Sequence, residues 1–136
     1  MATIFSKIID RTIPGRIVAE TDEFIAFLDI RPMTEGHTLC VPKREVDYYF
    51  DLTEAEIAGL AVFSKRVAAA IEANVDCVRI ATAVLGLEVP HAHLHLVPIQ
   101  TERDMHFGKT VAVSPERMDE LENAIRERFA AGESAG

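Results

Sequence analysis

Histidines 91, 93 and 95 occupy every second position of the segment PHAHLHLVPI, residues 90–99, and make up three of the five histidines in the chain. Pro90 and Pro98 at its ends, with Ala92, Leu94, Leu96 and Val97 between them, favour extended chain over helix. In a strand, residues two apart share a face, so the three imidazoles would form a row while the intervening side chains pack on the other side. Such a row has three uses. It can be the solvated side of an edge strand, although such a face normally mixes Lys, Glu, Thr and Ser. It can bind metal, since an HxH pair can place two nitrogens on one Zn²⁺ at about 2.0–2.1 Å. The outer pair would start about 13 Å apart, so a third ligand would have to come from elsewhere, such as His37 or His106. Finally, it can do covalent or acid-base chemistry. A neutral imidazole attacks phosphorus or carbonyl carbon when its second nitrogen donates a hydrogen bond and leaves the first with a free lone pair. His93, with an imidazole on each side, is the candidate nucleophile.

The elements that must position this row can be read from the rest of the chain. Residues 16–20 (RIVAE) and 23–30 (EFIAFLDI), separated by Thr21-Asp22, predict a β-hairpin, and 37–41 (HTLCV) predicts a third strand stopped by Pro42. From Thr53 the period changes. Ile57, Leu60, Ala61, Ser64, Val67, Ala68 and Ile71 share one helical face behind a Thr53-x-x-Glu56 capping box. The apolar run 77–85 (CVRIATAVL) predicts a central strand or one buried on both faces, ended by Gly86. Ser114 and Pro115 open a second helix carrying Met118, Leu121, Ile125 and Phe129 on one face. Three strands before any helix, then helix, two strands and helix, do not alternate as βαβ units. They predict an α+β domain with a mostly antiparallel sheet and helices on one side.

With 136 residues the chain has the size of a single domain, residues 1–136, with a frayed tail over about 131–136 (AGESAG). The balance of 22 acidic against 14 basic residues, net charge −8, argues against a partner that is a nucleic acid polymer. No apolar run approaches the roughly 18 residues of a membrane helix, and the N-terminus lacks the features of a secretory signal, so a cytoplasmic location without membrane association is expected. Cys40 and Cys77 have no CxxC spacing and predict buried free thiols.

At HAHLHLVP the sequence resembles the His-x-His-x-His-x-x signature of the histidine triad (HIT) family of nucleotidyl hydrolases and transferases. IFSKIIDRTIPGRIVAETDEFIAFLDIRP is similar to that family's N-terminal region, GHTLCVPKREV to its GHxLxxPK segment, and MHFGKTVAVSPERMDEL to the C-terminal extension of a bacterial subset. The likeness spans residues 3 to about 129. It implies a HIT-like antiparallel sheet of about five strands with two main helices, extended across a homodimer. It also implies binding of a purine nucleotide or nucleotide conjugate and cleavage at the α-phosphate of a nucleoside 5′-phosphoramidate or related substrate, without a cofactor. By the same resemblance His93 carries a transient nucleotidyl group, His91 and His95 orient it and hold the phosphate, and His37 is the additional family histidine. Asp29 matches the acidic residue that binds the ribose hydroxyls, and Phe5, Ile9, Phe27 and Ile30 lie in the segments that line the base pocket. Read without the resemblance, Asp29 simply ends a strand before the Arg31-Pro32 turn, and the four apolar residues are ordinary core.

The chain departs from the family in two places. Many members carry a zinc-binding Cys-x-x-Cys at the N-terminus, where this chain has Thr3 and Ser6; neither is a usual zinc ligand, so no metal is expected. Many members also have an Asn in the strand before the triad and a G-Q-S/T approach to it. Here residues 77–89 contain no Asn, Leu87 replaces the Gln, and Glu88 stands where Ser or Thr is common. A carboxylate beside a bound phosphate weakens binding unless it is protonated or faces the leaving group. Two rivals to the phosphoramidase reading therefore stand: a nucleotide-binding module with little catalysis, and a metal-dependent enzyme using the HxH pair.

Overall fold

The computed structural model describes residues 2–135. Five antiparallel strands form one sheet in the order β1-β2-β3-β5-β4, where β1 is Ile17–Glu20, β2 Phe24–Leu28, β3 Thr38–Pro42, β4 Arg79–Ala83 and β5 Leu94–Ile99. Helix α2 (Glu54–Glu72) begins with the expected capping box, in which the Thr53 hydroxyl accepts from the Glu56 N–H and the Glu56 carboxylate accepts from the Thr53 N–H. Helix α3 (Pro115–Ala135) starts where the Ser114 hydroxyl accepts from the Arg117 N–H, and it continues through residues 131–135. Gly136 lies outside the described residues.

The pleat divides the sheet's side chains between two cores. Ala26, Leu28, Cys40 and Leu96 face α2 and α3, where Leu60, Phe63, Val67, Ile71, Leu121, Ile125 and Phe129 meet them. Ile25, Phe27, Leu39 and Val41 face the opposite way, against Phe5 and Ile8. Both faces of β2 and β3 are therefore buried, which explains their unbroken apolar runs. Within α2, Phe63 takes the buried place expected for Ala61, which is exposed, because the packed stripe is turned slightly about the helix axis.

Three expectations change. A six-residue helix, α1 (Ile4–Ile9), precedes all the strands, so helices cover both faces of the sheet and not one. The apolar run at 77–85 is neither central nor buried on both faces. Strand β4 is an edge strand paired only with β5, and Val78, Leu85 and Leu87 are exposed beside it. Apolar composition does not distinguish burial inside a chain from an uncovered edge. Finally, β5 begins at Leu94, so His91 and His93 lie in the irregular approach to the strand, held where the Ala92 N–H donates to the Val46 carbonyl. Cys40 is fully buried, and desolvation pushes its thiol up to about 12; Cys77 is half-buried.

At the other edge, the Arg126 guanidinium of α3 donates twice to the β1 carbonyl of Ile17, at 2.8 and 3.1 Å. No helix among the described residues is long and apolar enough to cross a membrane.

Candidate active site

His95 is paired across the sheet with Leu39, itself opposite Phe27, so the pleat puts all three on the face that α1 partly covers. His37, one residue before β3, is on the same face. The Asp29 N–H donates to the His37 carbonyl, which extends the β2-β3 pairing by one step and sets their side chains near each other. Phe5 of α1 stands edge-on to His93, His91 and Phe27, with ring centroids 4.9, 5.9 and 5.3 Å away. His93 and His95 are 4.9 Å apart by the same measure. The three triad histidines and His37 are all buried.

The hydrogen bonds fix each ring's proton, an assignment that follows from which partner atoms can only donate or only accept. The Met33 N–H donates to His37 Nδ1 at 3.0 Å, so neutral His37 carries its proton on Nε2. That N–H donates to His95 Nδ1 at 3.0 Å, which leaves the His95 proton on Nε2. His93 Nδ1 lies 2.7 Å from the carbonyl of His91, which can only accept; the proton is on Nδ1 and the Nε2 lone pair is free. His91 Nε2 donates to the Pro42 carbonyl at 2.8 Å, and its Nδ1 accepts from the Thr3 hydroxyl at 3.0 Å. Burial enforces neutrality. Desolvation, aided by the neighbouring His93, pushes His37 down to about 4 and His95 down to about 3, and it lowers His93 from the ordinary imidazole value. The His91 carbonyl, Asp29 and Glu88 oppose the shift at His93. Asp29 is raised by burial, although its carboxylate accepts from the Arg31 N–H at 2.9 Å.

Asp29, His37 and His95 each offer an atom within 4.8 Å of the others, a trio that could surround a cation. The proton assignment argues against it: His37 Nε2 would have to shed its proton while the Met33 N–H occupies Nδ1, which requires an imidazolate. The N-terminal positions fit a metal no better. The Thr3 hydroxyl is committed to His91 and to the Ser6 N–H, and the Ser6 hydroxyl to the Thr3 backbone.

Comparison with known proteins decides the family. The HIT domain model matches residues 10–102. The chain belongs to the HIT family. It is 32% identical over 127 residues to an uncharacterized HIT-like protein of Methanocaldococcus jannaschii, covering 90% of this chain and 98% of that one. It is 31% identical over 135 residues to an adenosine 5′-monophosphoramidase of Schizosaccharomyces pombe, covering 95% and 99%. A zinc-bound histidine triad family protein from Mycobacterium smegmatis superposes with a TM-score of 0.83 at 29% identity, covering 100% of this chain and 99% of that one.

In this chain, His37, His91, His93, His95, Phe5 and Phe27 come together, with Asp29 3.7 Å from His37 Nε2. Ile9 is half-buried at the margin of the Phe5-Phe27 cluster, whereas Ile30 and Glu88 are exposed. Three contributors were not singled out by sequence: the Met33 N–H, the Pro42 carbonyl, and Phe107, whose ring meets His95 edge-on at 5.0 Å. Backbone groups leave no trace in residue type. Phe107 lies beyond the triad strand in a segment whose apolar pattern is weak.

Proposed function

We propose that this chain hydrolyses a nucleoside 5′-phosphoramidate, or a related mononucleotide conjugate, at the α-phosphate through a covalent intermediate on His93. The observation that carries the reading is the 2.7 Å hydrogen bond from His93 Nδ1 to the His91 carbonyl, which aims an unprotonated Nε2 out of the backbone. Nε2 attacks phosphorus; the new P–N bond forms as the bond to the leaving amine breaks, and the amine departs with its electron pair and takes up a proton. Water then attacks phosphorus, the P–N bond to His93 breaks, the lone pair returns to Nε2, and the surplus proton goes to solvent. His95 offers an Nε2–H to the phosphate, held in that sense by His37. Asp29, with a partly exposed carboxylate, accepts ribose hydroxyls. Ile9 and Ile30 present the accessible apolar surface for a purine, with Phe5 and Phe27 packed behind as support. The kinship with a named monophosphoramidase supports the choice of leaving group.

The test is mass spectrometry of protein mixed with a slowly turned-over adenosine phosphoramidate. One mononucleotide adduct is expected, absent in His93→Ala; turnover undiminished in that variant overturns the reading. Nucleotide binding by calorimetry without turnover of any conjugate would favour a binding module.

The same reading includes a homodimer. The open edge of β4 and the exposed Val78, Leu85 and Leu87 offer a second copy a continuation of the sheet. Sedimentation should give a dimer that Val78→Asp with Leu87→Asp converts to monomer.

A further inference from the structure

Thr3 and His91 are 88 positions apart, both buried, and joined by a hydrogen bond of 3.0 Å. Thr3 is the N-cap of α1, and its oxygen already accepts from the Ser6 N–H at 3.0 Å. A cap needs only that acceptor. The hydroxyl proton is left over; Ser6 Oγ lies 3.4 Å away and His91 Nδ1 3.0 Å away, and the shorter contact gives it to His91. His91 in turn anchors to β3 by donating from Nε2 to the Pro42 carbonyl, and its own carbonyl holds the Nδ1–H of His93. A continuous chain of donors therefore runs from the Thr3 hydroxyl through His91 to the β3 backbone, and the peptide that aims His93 is part of the residue so clamped. Phe5, two residues along α1, closes the same unit by packing edge-on against His91 and His93.

We infer that Thr3 is a positioning residue: its hydroxyl engages His91 Nδ1 while the Pro42 carbonyl holds the Nε2 proton, and this two-ended clamp holds the carbonyl that orients His93, so that the start of α1 and the reactive imidazole are set together. The inference rests on the nucleophile reading for its kinetic consequence, though the Thr3 clamp on His91 Nδ1 is observable without any substrate.

Three substitutions separate the lock from the cap. Thr3→Val removes both. Thr3→Asp keeps a strong capping acceptor but brings no hydroxyl proton to His91. Thr3→Ser keeps both functions. Nitrogen-15 NMR of the imidazoles should show His91 as a single Nε2–H tautomer in the parent and Thr3→Ser. It should show the Nε2–H form with an Nδ1 that has lost its hydrogen-bonded shift in Thr3→Val, and a second proton, on Nδ1, in Thr3→Asp. Loss of one orienting hydrogen bond should lower kcat on the phosphoramidate by roughly 5–10-fold in Thr3→Val and Thr3→Asp, with KM little changed and Thr3→Ser at the parent value. An unaltered His91 Nδ1 resonance in Thr3→Asp, which keeps its capping acceptor, overturns the inference. So does an unchanged kcat in that variant. If the parent has no turnover at all, the function reading fails by itself and the NMR result alone decides the lock.

Discussion

The two faces of the sheet bury side chains for opposite purposes, and the larger core lies toward α2 and α3. Toward α2 and α3 the packing is nearly all hydrocarbon, and a buried hydroxyl, that of Ser64, has the Cys40 thiol as its partner there. Toward α1 the interior includes four imidazoles held by hydrogen bonds to the Met33 N–H, the Pro42 and His91 carbonyls, the Thr3 hydroxyl and one another. One face gains stability from area removed from water; the other gives up some of that gain to hold imidazoles in defined protonation states. The pleat that separates them lets chemistry be altered on one side while the other keeps the chain folded.

The sharpest way to break that division is a crossed pair of substitutions. His93→Ala should reduce phosphoramidate turnover by at least about 10³-fold while leaving thermal stability close to that of the parent. Leu60→Ala, in the opposite core, should cost about 2–5 kcal/mol of stability and leave kcat of the folded protein nearly unchanged. If both variants lose both properties, the faces are not separable. Next in size is His37→Phe, which removes the N–H that sets the His95 proton; kcat should fall roughly 10²-fold with KM nearly constant, by analogy with the loss of a preorganised donor.

A third effect concerns acid. His37 and His95 have folded values near 4 and 3, below the ordinary 6.5, so the unfolded chain takes up protons first as pH falls. Stability from these groups is complete above about pH 6.5 and declines steadily down to about pH 4, where they begin to charge in the folded state. The urea midpoint should therefore drop between pH 6.5 and 5, and a double variant, His37→Gln with His95→Gln, should lose most of that slope. A slope equal to the parent's would place the acid response on groups other than these two. The smallest effect is expected at Glu88, exposed and acting on His93 only through charge. Glu88→Ser should raise turnover of simple phosphodiesters by up to about tenfold, as a carboxylate near bound phosphate is removed; a loss with every substrate would contradict that account.

Most of the architecture was legible because period and punctuation agreed: the hairpin at 17–28, the capping box at Thr53 and the Ser114-Pro115 start all lie where the residues put them. Helix α1 was not, since six residues carry too little periodicity, although Thr3-x-x-Ser6 ahead of Ile8 was a usable signal. The edge position of β4 was hidden for another reason: strand order is set by which partners the whole sheet can bury, and a local apolar run does not record it. The site divides in the same way. Spacing selected His93 and the resemblance supplied Asp29 and His37, but the proton on each ring depends on Met33, Pro42 and the residue-91 carbonyl, which only folding brings within reach.

The guanidinium of Arg126 on the Ile17 carbonyl has a consequence for growth. A flat stack of strands with two free margins can add copies without end, as fibrils do. Here a charged side chain from α3 covers the Ile17 carbonyl on the β1 margin, whereas the β4 margin pairs only with β5. Two copies that meet through that margin use up both open ends at once, so such an assembly terminates at a closed pair. Arg126 thus takes up a β1 carbonyl that a further strand would otherwise pair.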